Sequence, residues 1–398
     1  MSPAAQKAVP HATQLRYCVW EITLRCDLSC GHCGSRAGKA RPDELSTEEA
    51  LDVVRQLAEL GCSEVTLIGG EAYLRPDWTQ ISRAVKDAGM LCTMTTGGRG
   101  ITPERAQEAF DGGLDSLSVS MDGLGETHDR QRGVKGSWES ARDAIHNLRA
   151  VGLDVSVNTQ INRLTFGQLD GLLDHLIEWG CFAWQLQFTV PMGRAADNWE
   201  WLLQPYELLD AVPKVAELKK RAAKHEIRVW PGNNVGYFGP HETELRGETF
   251  SRGHTPGCTA GLYTLGLEAD GKVKGCPSLP SADYTGGNVR ESSIREIWDT
   301  ADPLQFARDK RDHTWGYCGE CYYSLECRGG CTWTAHVFFG KPGNNPYCHH
   351  RALERQRAGL RETFRPVKKA PGVPFDYALF ELVLDEIPGG RPLPVVRS

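Results

Sequence analysis

The sequence has no apolar run near the roughly eighteen residues that a helix needs to cross a bilayer, which excludes a helical membrane span. It also lacks an excess of positive charge. Lysine plus arginine number 45 against 51 aspartate plus glutamate, a net charge of −6, so nothing favours nucleic acid or an anionic membrane as partner. The opening residues, MSPAAQKAVPHATQ, contain no apolar stretch of the kind a secretory signal carries. Residues 1–14 are therefore read as a flexible tail, and a cytoplasmic location is expected. No internal repeat is visible beyond an alternation of strand-like and helix-like segments.

Cysteine, by contrast, is abundant. Fourteen cysteines without a secretory signal are expected to be reduced thiols, used as ligands rather than in disulfides. Cys26, Cys30 and Cys33 form one cluster, and Cys258, Cys276, Cys318, Cys321, Cys327, Cys331 and Cys348 form another. Cys18, Cys62, Cys92 and Cys181 stand alone and read as small buried hydrophobes. Three thiolates fall one short of a closed zinc site and cannot pair as disulfides. The spacing C-x3-C-x2-C in LRCDLSCGHCG lets one short loop wrap a cuboidal [4Fe–4S] cluster, leaving its fourth iron open. A bidentate amino and carboxylate group suits that open position. A zinc-stabilised interaction module or an iron–sulfur electron carrier is the non-enzymatic alternative.

Between residues 15 and 235 strands and helices alternate. RYCVWEITL, EVTLI, LCTMT, SLSVSM, LDVSVNTQI, CFAWQLQFTV and IRVW read as strands. Helices are expected after the capping box of Ser46 and Glu49, over 77–88, after Thr102-Pro103, over 137–150, after Thr165 and Gln168, and over 204–225. Strand–helix repetition implies right-handed crossovers and a parallel sheet. Parallel strands are normally apolar on both faces. Here Ser116, Ser118, Ser120 and Asp122 share one face, as do Asp154, Ser156, Asn158 and Gln160, and also Gln185, Gln187 and Thr189. The reading is an α/β fold, a partial (β/α)6 TIM-type barrel around a wet cavity; an open sheet with polar edges is the alternative.

Residues 236–350 are rich in Gly, Pro, Cys and aromatics, with a hairpin expected in LYTLGLEADGKVKGC turning at Asp270-Gly271. A segment of this composition needs metal to hold its shape. Residues 351–398 read as a helical tail, basic in RALERQRAGLRETF and apolar in FDYALFELVLDEI.

In order along the chain, CDLSCGHC, Gly69-Gly70-Glu71, Thr95-Thr96-Gly97, SVSMDG, HDRQRG with KGSW, and VNTQINR resemble the radical SAM enzymes. The resemblance implies a [4Fe–4S] cluster on Cys26, Cys30 and Cys33 that binds S-adenosyl-L-methionine and yields a 5′-deoxyadenosyl radical. It implies cofactor contacts from Gly69, Gly70 and Glu71 to the ammonium and from Ser120 and Arg132 to the carboxylate. Asn158 and Gln160 would lie under the nucleoside, and Thr95 and Asp122 fall within matching motifs. Two departures are Ala72, where proline commonly follows GGE, and His32 in place of an aromatic.

The C-terminal cysteines resemble the seven-cysteine SPASM domain, which implies two auxiliary [4Fe–4S] clusters and three in all. Cys318, Cys321, Cys327 and Cys348 would hold the outer one; Cys258, Cys276 and Cys331 would hold the inner. No cysteine lies between Cys181 and Cys258, so the inner cluster has an open iron or a non-cysteine ligand, His254 being the nearest candidate.

Members of this group mostly modify ribosomally made peptides, so the expected substrate is a precursor peptide and the expected product a C–C or thioether crosslink. Peptide epimerisation, with Cys18, Cys92 or Cys181 as thiol donor, and small-molecule dehydrogenation are the enzymatic alternatives. Pro277 stands where the sulfatase-maturing subgroup has Asp, which counts against formylglycine formation. The winged leader-binding module of many peptide maturases is not expected before the first strand, so a separate leader-binding protein is a possible partner. Flavodoxin or ferredoxin is the expected electron donor. Gln185 and Gln187 are expected substrate contacts, and no catalytic base is identifiable.

Overall fold

Seven short runs with a β-branched or aromatic apolar face form parallel strands: β1 (Tyr17–Thr23), β2 (Glu64–Gly69), β3 (Leu91–Thr96), β4 (Ser116–Ser120), β5 (Asp154–Ile161), β6 (Ala183–Phe188) and β7 (Arg228–Pro231). The structure is a computed structural model and describes residues 14–232, 234–236, 238–246, 258–308 and 313–387. Helices α1 (Thr47–Glu59), α2 (Trp78–Asp87), α3 (Pro103–Asp111), α4 (Gly125–Arg132), α5 (Ser137–Ala150), α6 (Leu169–Glu178), α7 (Arg194–Asp197) and α8 (Leu208–Ala223) connect them.

The start signals act as the sequence implies. Glu49 N–H donates to Ser46 Oγ at 3.2 Å and Ser46 N–H donates to Glu49 Oε2 at 2.8 Å, closing the capping box of α1. Thr102 caps α3, with Pro103 in its first turn. Thr165 differs. Its hydroxyl donates to Gln160 O and accepts from Asn162 N–H, so it fixes the turn after β5 instead of capping α6.

Consecutive strands are neighbours from β1 to β7. Trp20, Leu67, Met94, Leu117, Val119, Val157, Trp184 and Leu186 point to the helix side and are buried. Each such side chain contributes about 1.5–3 kcal/mol on burial, so this face sets the register and frees the other for polar residues. On the inner face Thr95 pairs with Ser118, Ser118 with Ser156, and Gln160 with Gln187. One row runs from Ser120 through Asn158 and Gln185 to Trp230.

The cysteine-rich segment joins this same sheet. β8 (Thr264–Leu267) pairs parallel with β1, and β9 (Lys272–Lys274) returns antiparallel through a turn at Asp270-Gly271, where Gly271 has φ +87. β10 (Gly287–Asn288) adds the tenth strand. Residues 236–350 are not devoid of helix: they contain short ones such as Ile294–Thr300 and Thr332–Phe339.

The helical tail is a correction. A helix covers only His349–Arg357; Gly359, at φ +72, ends it. β11 (Leu360–Lys368) and β12 (Leu379–Glu386) then form an antiparallel hairpin. Period-two burial explains the outcome: Glu362 and Phe364 on β11 and Phe380 on β12 are buried, while Arg361, Arg365 and Glu381 are exposed. No helix among the described residues is long and apolar enough to cross a membrane.

Candidate metal centre and cofactor site

Cys26, Cys30 and Cys33 lie in the loop that leaves the C-terminal end of β1, the end where parallel α/β folds build their sites. Neighbouring strand ends hold that loop by main-chain bonds. Gly70 N–H donates to Thr23 O at 2.9 Å and Glu71 N–H to Arg25 O at 2.8 Å. The guanidinium of Arg194 donates to Cys30 O at 2.7 Å and to Ala37 O at 3.2 Å. Gly70 admits no side chain, because a Cβ there would lie 2.2 Å from Arg25 O and 2.6 Å from Cys26 Cβ.

Burial pushes the Cys26 thiol up to about 12, with the nearby Glu71 adding to the effect. Burial also pushes Cys30 up, to about 11, against the opposing charge of Arg132. Thiols held protonated in this way become thiolates only by binding a cation. Donors already surround the sulfurs. Leu28 N–H points to Cys26 Sγ at 3.4 Å, Arg132 Nη1 lies 3.7 Å from Cys30 Sγ, and Ser35 Oγ lies 3.5 Å from Cys33 Sγ. Three soft donors in one loop, with N–H and cationic groups on the sulfurs, fit an iron–sulfur cluster. A second donor group, Cys26, Asp27 and Glu71, also converges within 4.8 Å. Its Glu71 carboxylate is already engaged, accepting from Thr96 Oγ1 and from Gly97 N–H, each at 2.6 Å. Burial raises this carboxyl to about 7 despite those two bonds.

Asp122, just beyond β4, is fully buried and gathers three groups. Its carboxylate accepts from Gln160 N–H at 2.7 Å, pairs with Arg132 Nη2 at 2.5 Å and approaches His32 Nε2 at 3.1 Å. Burial disfavours the charged form, but Arg132 and His32 outweigh it and hold the carboxyl well below the usual range. Asp122 N–H donates to His128 Nδ1 at 3.0 Å, and Gln131 Nε2 donates to Asp122 O at 2.8 Å. Asp122 thus positions Arg132. Ser120, Thr95, Asn158 and Gln160 lie partly exposed on the inner face, and Gln185 and Gln187 stand beside Asn158 and Gln160 in register.

The remaining cysteines separate into two sets. Cys318, Cys321, Cys327 and Cys348 line one pocket with Phe238, Tyr317, Tyr323 and His350. Burial pushes Cys348 up to about 12; it also raises Cys327, where the charges of Cys348, Cys318 and Cys321 add to it. Cys276 is pushed up to about 12 by burial, with the charges of Cys258 and Cys331 adding to it. Of the three, Cys276 adjoins the inner side of β8. A Cβ on Gly266 would lie 2.4 Å from Pro277 N, and Gly266 pairs with Val19, whose side of β1 also carries Tyr17, bonded to Thr66 on the inner face. His254 lies outside the described residues.

Several site residues carry no signal that sequence reading used. His32 reads there as a replaced aromatic, yet it pairs with Asp122. His128 and Gln131, inside HDRQRG, hold the Asp122 main chain. Arg36, three residues after Cys33, bonds Asp376 at 2.7 Å across 340 residues. Trp333, two residues after Cys331, donates its indole N–H to Met192 Sδ at 2.9 Å. Only the tertiary fold brings these pairs together.

Residues 20–175 match the radical SAM superfamily, and residues 258–322 match an iron–sulfur cluster-binding domain, SPASM. The chain is 31% identical over 347 residues to an AdoMet-dependent heme synthase of Methanosarcina barkeri, covering 84% of this chain and 97% of that one. It is also 31% identical over 334 residues to the mycofactocin maturase MftC of Mycobacterium ulcerans, covering 83% and 86%. The fold matches that of native anSMEcpe with bound AdoMet and Cp18Cys peptide at a TM-score of 0.66 and 16% identity, covering 85% and 95%. With its three-cysteine loop for a SAM-binding [4Fe–4S] cluster and its further cysteines for auxiliary clusters, the chain belongs to the radical SAM superfamily, among the enzymes that carry a SPASM domain.

Proposed function

We propose that the protein is a peptide-modifying oxidase that removes hydrogen from a C–H bond of a ribosomally made peptide and closes a crosslink within it. The observation that carries this reading is the inner wall. Ser118, Ser120, Asn158, Gln160, Gln185 and Gln187 present neutral hydroxyl and amide groups in register. Primary amides donate and accept at once, which suits the repeating N–H and C=O of a peptide main chain.

On this reading Cys26, Cys30 and Cys33 hold the cluster that, with S-adenosyl-L-methionine, supplies a hydrogen-abstracting radical. The Gly69 and Gly70 main chain, Thr95, Ser120 and Arg132 surround the amino-acid end of that cofactor, and Asn158 and Gln160 underlie its nucleoside. Three clusters are assigned in all: the first trio, the inner trio, and the outer set of Cys318, Cys321, Cys327 and Cys348. Crosslinking removes two hydrogens overall, so an electron acceptor is required besides the cofactor, and the two auxiliary sets would hold it. A flavodoxin or ferredoxin would supply reducing electrons, and a separate protein would present the peptide leader.

A second reading has its own support. The relative named as a heme synthase is covered over 97% of its length, which favours a tetrapyrrole as substrate. The test is anaerobic turnover with S-adenosyl-L-methionine and dithionite, with peptides or a carboxylated porphyrin offered in parallel. A peptide recovered lighter by two hydrogens, alongside 5′-deoxyadenosine, is the expected result. Change of mass in the porphyrin alone overturns the peptide reading.

A further inference from the structure

β11 and β12 carry no cysteine, yet the residues that join them, 369–378, reach the loops that follow both Cys33 and Cys276. Phe375 has φ +59, a left-handed conformation that residues with a Cβ rarely adopt. Phe375 and the next residue, Asp376, then serve different partners.

Asp376 is 6% exposed. Its Oδ1 accepts from Arg36 Nε at 2.7 Å, and its main-chain O accepts from Gly193 N–H at 2.8 Å. Arg36, three residues after Cys33, is also left-handed, with φ +50. Its other nitrogens donate to Asp197 at 2.6 and 3.0 Å and to Gly193 O at 3.0 Å. The same segment grips the cysteine loop. Arg194 N–H donates to Cys33 O at 2.9 Å, and Asn198 Nδ2 donates to Gly31 O at 2.8 Å. Strained backbone on both sides of one contact persists only where the surrounding bonds over-determine it.

The Phe375 ring lies 4.1 Å from Lys274 Nζ and 5.5 Å from Arg41 Cζ. Lys274 is fully buried and pairs with Glu268 at 2.7 Å. It also donates to Pro277 O at 3.1 Å and Leu279 O at 2.6 Å, in the loop directly after Cys276. The aromatic face thus backs an ammonium whose three protons are already bonded.

We propose that Phe375 and Asp376 form a clasp between the two cysteine loops. Asp376, acting through Arg36, is a positioning residue for the cluster on Cys26, Cys30 and Cys33. Phe375, acting through Lys274, is a positioning residue for the auxiliary cluster on Cys276, and this half rests on the three-cluster assignment above. Groups behind the ligands orient the thiolates, and that orientation sets a cluster's spectrum.

The test is hydrogen exchange and paramagnetic resonance on the full-length protein, reconstituted and held anaerobically. Asp376→Asn should speed exchange at Arg36 and Gly38, whose amides bond Cys33 O and Leu24 O, about tenfold. It should also remove the change that S-adenosyl-L-methionine induces in the first cluster's spectrum, with the auxiliary signals unaltered. Phe375→Leu should speed exchange at Leu279, whose amide bonds Cys276 O, about three- to tenfold and shift the auxiliary signals alone. Asp376→Glu should recover most of the loss. Glu381→Gln, which breaks the exposed pair with Arg365 on the same hairpin, should change neither loop.

Exchange and spectra that Asp376→Asn and Phe375→Leu leave unchanged overturn the clasp, as does a Glu381→Gln protein that behaves like Asp376→Asn. Undiminished iron in Cys276→Ala overturns the three-cluster assignment and with it the Phe375 half. Iron that depends on Cys276, with exchange at Leu279 indifferent to Phe375→Leu, overturns that half while leaving the assignment intact.

Discussion

Arg132 Nη2 lies 2.5 Å from the Asp122 carboxylate, and neither residue is more than 8% exposed. Ten residues separate the two, and α4 brings the guanidinium back beneath the end of β4. There its other nitrogen reaches Cys30 Sγ at 3.7 Å. One buried carboxylate thus holds a cation against a cluster ligand, and His32, one residue before Cys33, leans on the same oxygen.

Replacing Asp122 by asparagine keeps an acceptor for Gln160 N–H but removes the charge. The Arg132 guanidinium is then buried without a counterion, a situation that typically costs about 3–5 kcal/mol. We expect a stability loss of about that size in urea unfolding. We also expect the reduced first cluster to lose the change in its paramagnetic resonance spectrum that S-adenosyl-L-methionine induces. An Asp122→Asn protein of undiminished stability contradicts the pairing.

Gly70→Ala tests the packing of the cluster loop. The new methyl would meet Arg25 O at 2.2 Å and Cys26 Cβ at 2.6 Å, and both belong to the loop that carries the first thiol trio. The loop must move outward. Iron content after reconstitution should fall by about four atoms, with the remainder held by the auxiliary sets. Loss of all iron would mean that the loop supports the whole molecule, not one site.

How much of this was legible beforehand depends on how local the information is. The seven strands, the capping box at Ser46 and the turn at Asp270-Gly271 follow from periodicity and short-range chemistry, and the structure has them. The polar inner face was readable for the same reason, because side chains alternate strictly along a strand. The C-terminal hairpin was misread. RALERQRAGLRETF has helix-forming composition throughout, but Gly359 divides it, and the second half pairs with β12. Pairing partners far along the chain are invisible to a window of fourteen residues. The same holds for His32 with Asp122 and for Arg36 with Asp376. Each is a single residue whose meaning comes from where another element passes.

The cysteine sets make an additivity test. If Cys327 and Cys348 serve one cluster, replacing both with alanine should cost no more iron than replacing either. If Cys327 and Cys331 serve different clusters, the double variant should lose the sum of the two single losses. Four of these cysteines line one pocket, and Cys331 is not among its lining residues, which favours that outcome. Additive loss in Cys327→Ala with Cys348→Ala would break the assignment of the outer set.

The last expectation concerns pH. His128 is fully buried and accepts a hydrogen bond at Nδ1 from Asp122 N–H, so its ring must be neutral. Burial, helped by the Arg132 charge, lowers it from 6.5 to about 3. The folded protein therefore refuses a proton that the unfolded chain accepts below the ordinary histidine value. The contribution is fully present above about pH 6.5 and declines as pH falls toward about 3. Between pH 7.5 and 5.5 the linkage amounts to about 1.4 kcal/mol. His128→Asn places an amide where Nδ1 was and does not titrate. The variant should be less stable at pH 7.5, and the gap to the parent protein, measured by urea unfolding under anaerobic conditions, should shrink by about that amount at pH 5.5. A gap independent of pH would mean that the imidazole takes its proton inside the fold, and that the bond from Asp122 is not what holds this turn beneath the site.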